Sequence, residues 1–320
     1  MKILCIKSRG LGDTVLWTSS LQALCDFYPD STIHLAAPKN YLPLFDLDPR
    51  FKKTFAVNEN IFSLTKKLRQ EKYDLLLNFH ASQKTLFISF LTLAKKKLIH
   101  HHSRQPKNFF SDDKIYQLGM VNSAIKRDLN VLRTLGWKGE SPATKIFLPK
   151  TKTLPSARKK ILLGVFATRP AKQWRWENYA ALIEKLKGKF DFYVLNEKKE
   201  IGYSASKLKA TFLHTPTLNN LLEQLANFDL YVGTDSGLKH LSIAAGLKTV
   251  TLFGPESIGE WHPYDSKKNP TLQVKALCRN KDPHPPEYAW CDKTICPYAS
   301  HTCLSLITPD QVIKTIETLL

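Results

Sequence analysis

Short apolar runs alternate with amphipathic stretches along most of this chain, and that alternation sets the first expectation of its fold. Ile3–Ile6, Thr32–Ala36, Thr54–Val57 and Asp74–Phe79 are brief and apolar, as buried strands are. Between them, Thr14–Phe27 sets Val15, Leu16, Leu21 and Leu24 at helical spacing, and Ile61–Gln70 predicts a second helix. A helix over Met120–Leu135 closes this half. Residues 151–160 are polar, carry Pro155 and lack apolar periodicity, which predicts a linker. The rhythm then restarts. Strands are expected at Ile161–Phe166, Phe190–Leu195, Leu230–Val232 and Thr249–Phe253, and helices at Trp176–Leu186, Leu218–Ala226 and Gly237–Ala245. Gly246 stands where a helix end calls for a left-handed backbone, and Asp310–Leu320 is amphipathic enough for a final helix. Strands and helices in this alternation imply an α/β protein with parallel sheets covered on both faces. The expected organisation is one domain over 1–150, a second over 161–308, a terminal helix over 309–320, and a cleft between the domains. Ligand chemistry belongs in the loops at the carboxyl ends of the strands.

Charge changes this picture more than composition does. The 320 residues are 43% hydrophobic, enough for two cores, but their formal charge is +19. Such an excess concentrates anionic partners: nucleic acid, acidic lipid headgroups or phosphorylated sugars. No recognition helix, RNA-binding aromatic motif or zinc finger at standard spacing is present, which argues against nucleic acid. The first apolar stretch is too short for a signal peptide, and the run Leu86 to Ala94 falls short of the roughly 20 residues that span a bilayer. A cytoplasmic protein, at most attached to the inner-membrane surface, is the expectation. Four of the six cysteines crowd between Cys278 and Cys303, unlike a secreted disulfide scaffold.

Three loops carry candidate chemistry. In Ser8-Arg9-Gly10-Leu11-Gly12-Asp13, two glycines permit a tight turn and close approach of a ligand, but no third glycine completes a dinucleotide fingerprint. Asp13 can either cap the helix that follows or accept a proton from a hydroxyl in the cleft. The loop Thr168-Arg169-Pro170-Ala171-Lys172-Gln173-Trp174-Arg175-Trp176 offers a hydroxyl and cations to a polyanion such as a diphosphate; alternatively the cations are solvated and both tryptophans pack the next helix. Gly233-Thr234-Asp235-Ser236-Gly237-Leu238-Lys239-His240 opens a helix after a short strand. Its start suits phosphate, with Ser236 and Gly237 closest and His240 in the first turn, or it is a capped helix with Asp235 or Ser236 as cap. Phe253-Gly254-Pro255 ends another strand in a turn beside the same cleft.

Other residues invite chemistry with less support. Asp46-Leu47-Asp48 has a cation-sharing spacing but precedes Pro49 and reads as a turn. His100-His101-His102 on a strand would point to alternate faces, so a basic patch with Lys95, Lys96 and Lys97 is the better reading. His80, after the Leu75–Phe79 strand, is either an acceptor contact or a core histidine. Cys278, Cys291, Cys296 and Cys303, with His284 and His301 nearby, are spaced too widely for a usual zinc site and leave a metal, free thiols or a redox pair open.

Taken in order, the Ile3…Asp13 strand–loop, Thr168-Arg169…Lys172-Gln173-Trp174, and Val232–Leu241 followed by Thr249…Leu252-Phe253-Gly254-Pro255 resemble glycosyltransferase family 9, the heptosyltransferases that build the lipopolysaccharide inner core. The segment His301-Thr302-Cys303-Leu304…Pro309 is similar to the second-heptose branch. The resemblance implies a GT-B fold of two Rossmann-like domains, acceptor on the first and nucleotide sugar mainly on the second. It implies inverting transfer of heptose from ADP-heptose to an anionic lipid-linked saccharide, with no metal and no cofactor. By the same resemblance Asp13 is the general base, with Ser8, Gly10, Gly12 and His80 toward the acceptor. Lys172, Thr168, Arg169 and the N–H groups of Ser236 and Gly237 would hold the diphosphate, with Asp235 and His240 completing that pocket. A ribose-binding carboxylate falls near Glu197 or Glu200, with Glu200 preferred. A family member using another nucleotide sugar for capsule or O-antigen, and a non-catalytic nucleotide-sugar-binding protein, are the alternatives.

Overall fold

The computed structural model describes residues 1–100, 111–113, 115, 122–151, 153–197, 206–274, 278, 286–297 and 303–320. They form two compact units, Met1–Phe147 and Leu148–Leu320.

In the first unit, strands β1 (Lys2–Lys7), β2 (Thr32–Ala37), β3 (Phe51–Ala56), β4 (Leu75–His80) and β5 (Lys96–Ile99) make one parallel sheet in the order β3-β2-β1-β4-β5. The chain builds outward from β1 and then returns to lay β4 on its other side, so the topological switch lies between β1 and β4. Successive side chains of β1 point to opposite faces. Leu4 and Ile6 pack with Leu64 and Leu68 of α2 (Ile61–Gln70) and Ile88 of α3 (Gln83–Leu91). Lys7, fully buried on the other face, reaches α4 (Ala124–Thr134), which packs against α1 (Leu11–Phe27).

Two elements here escaped the periodicity. α3 occupies most of the apolar run at Leu86, and its Phe87 and Phe90 face water, so it lacks the polar face that marks a surface helix. β5 begins within the basic patch at Lys96 because Leu98 and Ile99 are buried beside β4. The expected Met120–Leu135 helix is Ala124–Thr134 among the described residues; the Ser123 side chain accepts from the Lys126 N–H and fixes its start. Asp46-Leu47-Asp48 lies in a turn, with Asp48 buried and paired with Arg50.

The second unit repeats the plan with β6 (Lys159–Gly164), β7 (Phe190–Asn196), β8 (Thr211–His214), β9 (Leu230–Thr234), β10 (Lys248–Phe253) and β11 (Thr271–Gln273), all parallel, in the order β11-β10-β9-β6-β7-β8. β8 and β11, short and only half-buried, are the edge strands that no apolar run announces. α5 (Trp176–Lys185), α6 (Leu218–Leu225), α7 (Gly237–Ala244), the one-turn α8 (Ile258–Trp261) and α9 (Pro309–Leu319) belong to the same unit. β6 takes in the last two residues of the expected linker, and α9 buries Val312 and Ile316 in the core that holds Tyr179, Leu182 and Ile183. Gly246 ends α7 at φ +94°, as its position predicts. Among the described residues no helix is long and apolar enough to cross a membrane.

One contact fixes how β6 and β9 approach each other. Gly164 and Gly233 are register partners, and the Tyr231 ring lies across both, so that a Cβ on either glycine would overlap its hydroxyl end. The bare backbone lets that hydroxyl donate to Thr234 O at 2.9 Å, while the Tyr179 hydroxyl donates to Gly164 O at 2.9 Å. Gly164→Ala should therefore lower stability by about 1–3 kcal/mol through overpacking, read as a lower denaturant midpoint. A midpoint unchanged from wild type would show that Tyr231 swings aside freely.

Candidate active site

At the carboxyl edge of the first sheet, an irregularity after Ile6 sets Lys7 opposite His80 across the switch between β1 and β4. Lys7 Nζ donates to Asp128 Oδ2 of α4 with both side chains wholly buried, and Arg9 contacts His80 Nε2 beside the β1–α1 loop. Burial pushes the Asp128 carboxyl up, against the pull of Lys7. Asp13 occupies the first turn of α1. It does not cap the helix: Gly10 is the N-cap residue and no side chain caps there. Instead the carboxyl is half-buried above Gly10, whose Cβ position lies 3.8 Å from Asp13 Oδ2. Burial pushes it up from the ordinary aspartate value, Lys7 holds it back, Asp128 adds to the rise, and Arg9 and Arg127 oppose it further. The result is a carboxyl of raised basicity that neither capping nor an ion pair consumes among the described residues. Ser8, Gly10 and Gly12 lie in or just after the same loop, and His80, 8% exposed, closes its β4 side.

At the corresponding edge of the second sheet, three loops meet. Asp235 follows β9 and is buried. Its Oδ1 accepts from Lys239 Nζ at 2.6 Å and lies 3.8 Å from His240 Nε2, and its Oδ2 accepts from Lys172 Nζ at 3.3 Å. Burial alone would raise this carboxyl, but Lys239 and Lys172 outweigh it and hold Asp235 below the ordinary range. Lys172 Nζ also sits 3.3 Å from Glu256 Oε1, and Arg169 pairs with the same carboxylate. Lys239 Nζ, itself wholly buried, donates on to Trp261 O at 2.8 Å. His240 Nδ1 is 2.6 Å from the Tyr264 hydroxyl, and burial followed by Lys239 keeps its imidazole neutral well below the usual range. Ser236 is the N-cap of α7; its Oγ accepts the Lys239 N–H at 3.4 Å. The unpaired N–H groups of the first turn and the positive end of α7 thus open beside Lys172 and Arg169, a set suited to a diphosphate. Thr168 stands exposed in the loop after β6.

Residues 61–283 match the profile of glycosyltransferase family 9 (heptosyltransferase). The chain belongs to that family. Over its whole length it is 24% identical to lipooligosaccharide heptosyltransferase 2 of Campylobacter jejuni, covering 98% of that protein. The fold superposes on a family 9 glycosyltransferase of Veillonella parvula with TM-score 0.79 at 18% identity, covering 99% of this chain and 96% of that one. It superposes on the ADP-heptose lipopolysaccharide heptosyltransferase II of Escherichia coli with TM-score 0.78 at 20% identity, covering 100% and 98%. The fold is therefore GT-B, and this family 9 protein is a glycosyltransferase.

In this glycosyltransferase, Lys172, Arg169, Asp235, Ser236, Gly237 and His240 come together in the second unit, and Asp13, Ser8, Gly10, Gly12 and His80 in the first. Glu200 lies outside the described residues; Glu197 is exposed after β7. Both tryptophans of the Lys172 loop pack as structural residues: Trp174 is buried, with Nε1 donating to Ile307 O at 2.9 Å, and Trp176 meets Phe166 edge-on and Tyr179 at a tilt. No disulfide joins Cys278, Cys291, Cys296 and Cys303 among the described residues, and His284 and His301 lie outside them. The backbone around Cys291 does bear on the site, since Arg169 Nη1 donates to Cys291 O at 3.3 Å and the Cys291 N–H to Pro255 O at 2.8 Å. Sequence reasoning passed over Glu256, Lys239, Lys7 and Asp128. Only Lys239 carried a local signal, its i, i+4 offset from Asp235.

Two outcomes test this electrostatic frame. Asp235→Asn strands the buried Lys239 charge and should cost about 3–5 kcal/mol, whereas Asp235→Asn with Lys239→Met should recover much of it. Denaturant melts followed by circular dichroism would reveal equal losses if the pair were not coupled. His262, which donates Nε2–H to Asn269 O at 2.7 Å, is lowered to about 4 from its ordinary 6.5 by burial and Lys239. A depressed imidazole contributes stability that is complete above about pH 6.5 and lost as pH falls toward 4. His262→Gln should flatten that decline, measured as midpoint against pH; a parallel curve would remove His262 from the balance.

Proposed function

We propose that this glycosyltransferase moves heptose from ADP-heptose onto the inner core of lipopolysaccharide, with inversion and without a metal ion. The observation that carries the mechanism is the uncommitted Asp13 carboxyl, half-buried and raised in basicity at the switch of the first sheet. In this reading Asp13 takes the proton of an acceptor hydroxyl as the oxygen attacks the anomeric carbon from the face opposite the leaving group. His80 and the Ser8–Gly12 loop orient the acceptor. The bond from the anomeric carbon to the diphosphate breaks in the same step, and ADP leaves with its new negative charge. Lys172, Arg169, Thr168 and the N–H groups of Ser236 and Gly237 stabilise that charge, a role a divalent ion takes in other transferases. Asp235 holds Lys172 and Lys239 in place, His240 beside it completes the pocket, and Glu200 is assigned to the nucleotide ribose.

The names of the Campylobacter and Escherichia relatives support heptose as the sugar and a lipid-linked saccharide as the acceptor. The +19 charge suits such an acceptor, phosphorylated and embedded in the inner leaflet, reached from the cytoplasmic side.

Mass spectrometry of products, from wild type and Asp13→Ala given ADP-heptose and acceptors with or without the first heptose, tests this. Wild type should elongate one acceptor only, and Asp13→Ala should be slower by about 10²–10⁴-fold with little change in donor KM. Product with a different nucleotide sugar and none with ADP-heptose would reassign the donor; equal turnover by Asp13→Ala would remove the base. Because the Asp13 carboxyl is raised, kcat/KM should fall on the acid side with a pKa above the roughly 3.9 of a free aspartate, and stay level above it.

A further inference from the structure

Phe62, Phe87, Phe90 and Leu93 are 78, 59, 48 and 67% exposed. Single apolar residues on a surface are ordinary, but four large ones on or just past two adjacent helices are not: Phe62 lies on α2, Phe87 and Phe90 on α3, and Leu93 two residues beyond it. α2 and α3 lie side by side: Lys84 Nζ donates to Glu59 O at 3.0 Å near the start of both, and Arg69 Nε donates to Leu91 O at 2.5 Å near the end of both. Phe62, Thr65, Lys66, Arg69, Gln70 and Leu91 line a groove between them. Leu93 holds φ +58°, a region bulky residues avoid, and is exposed there. Across 61–70 and 82–97 the chain carries seven Lys and Arg; Lys67, Lys95, Lys96 and Lys97 pair with Glu59, Asp74, Asp113 and Asp112, which leaves Lys66, Arg69 and Lys84 without a carboxylate among the described residues.

We propose that the α2–α3 face docks the protein on an anionic lipid bilayer. Phe62, Phe87, Phe90 and Leu93 enter the boundary between headgroups and acyl chains, and cations such as Lys66 and Arg69 meet the lipid phosphates. Charge selects this occupant over a second copy of the chain. A twofold interface would set this cationic face against itself, and like charges juxtaposed there are repulsive. Placement agrees with use: helices of a parallel sheet run against its strands, so Phe62 at the start of α2 and the start of α3 adjoin the edge that carries Asp13, and Phe90 and Leu93 extend the face toward the other edge. Its purpose rests on the proposed lipid-linked acceptor; its test does not.

Co-sedimentation of the full chain with vesicles of phosphatidylcholine, with and without phosphatidylglycerol, reads the docking directly. Binding should be at least about tenfold tighter to the anionic vesicles and weaken with salt. Phe62→Ser with Phe87→Ser should lose about tenfold while the thermal midpoint holds, since both side chains already face water. Leu93→Gly should also weaken binding with a midpoint equal to wild type or higher, because glycine accepts the positive φ. Absent wild-type binding, variants that bind as wild type does, or a dimer in sedimentation velocity that the serine variants dissolve would each overturn the proposal. Transfer to a deacylated, soluble acceptor is read separately. Transfer without vesicle binding sinks the docking and spares the reaction; binding without transfer does the reverse.

Discussion

The ammonium of Lys239 has no access to water, and the loops of the second unit are arranged around that fact. An unpaired charge in such a place costs several kcal/mol, so each direction around it is answered. Asp235 Oδ1 accepts at 2.6 Å, Trp261 O accepts at 2.8 Å, and the rings of Phe253 and Tyr264 lie 5.2 and 5.8 Å away. These partners come from the end of β9, from β10, from the last residue of α8 and from the segment after it, so one buried cation ties together the turns that shape the start of α7. Burial depresses the Lys239 ammonium, and Asp235 restores part of its basicity. What remains of the Asp235 carboxylate, its Oδ2, is the atom that positions Lys172. The outward-facing cation thus depends on an inward-facing one.

The two units place different chemistry at the same topological point. In each, the first strand is central, and the loop behind it opens at the switch of the sheet. In the first unit the fixed charges there, Lys7 with Asp128 and Arg9 against His80, are engaged with one another, and a single carboxyl of raised basicity is left over. In the second, the carboxylates Asp235 and Glu256 are engaged in holding Lys172 and Arg169, and the net offering is positive. The proposed transfer divides its demands in the same way: one proton to remove in the first unit, one diphosphate charge to stabilise in the second.

Strands and helices were legible wherever burial followed a period. The β1 and β9 runs, the α2 stripe at Leu64 and Leu68, and the turn at Gly246 all follow from local pattern. α3 was not, because Phe87 and Phe90 break the helical stripe, and β5 was not, because Lys96 and Lys97 hide a strand whose burial begins at Leu98. The site was legible as three loops but not as a network. Asp13 could be read as a cap until Gly10 was seen to hold that position. Glu256 lies one residue beyond a turn that was recognised, and nothing in its neighbours announces that Arg169 and Lys172 converge on it from 87 and 84 positions away in the chain.

That last kind of blindness has a physical source. Local sequence reports what a residue does for its own helix or strand, and for Lys7 and Asp128, 121 residues apart, that report is misleading. Lysine at the end of a strand and aspartate within a helix both read as solvated. Each becomes tolerable inside only because the other is there. Their pairing spans β1 and α4, the first and last described elements of the unit, so its electrostatic effect on Asp13 exists only once the unit has closed. The basicity of the candidate base is a property of the finished fold of the first unit, and no reading of the Ser8–Asp13 loop alone contains it.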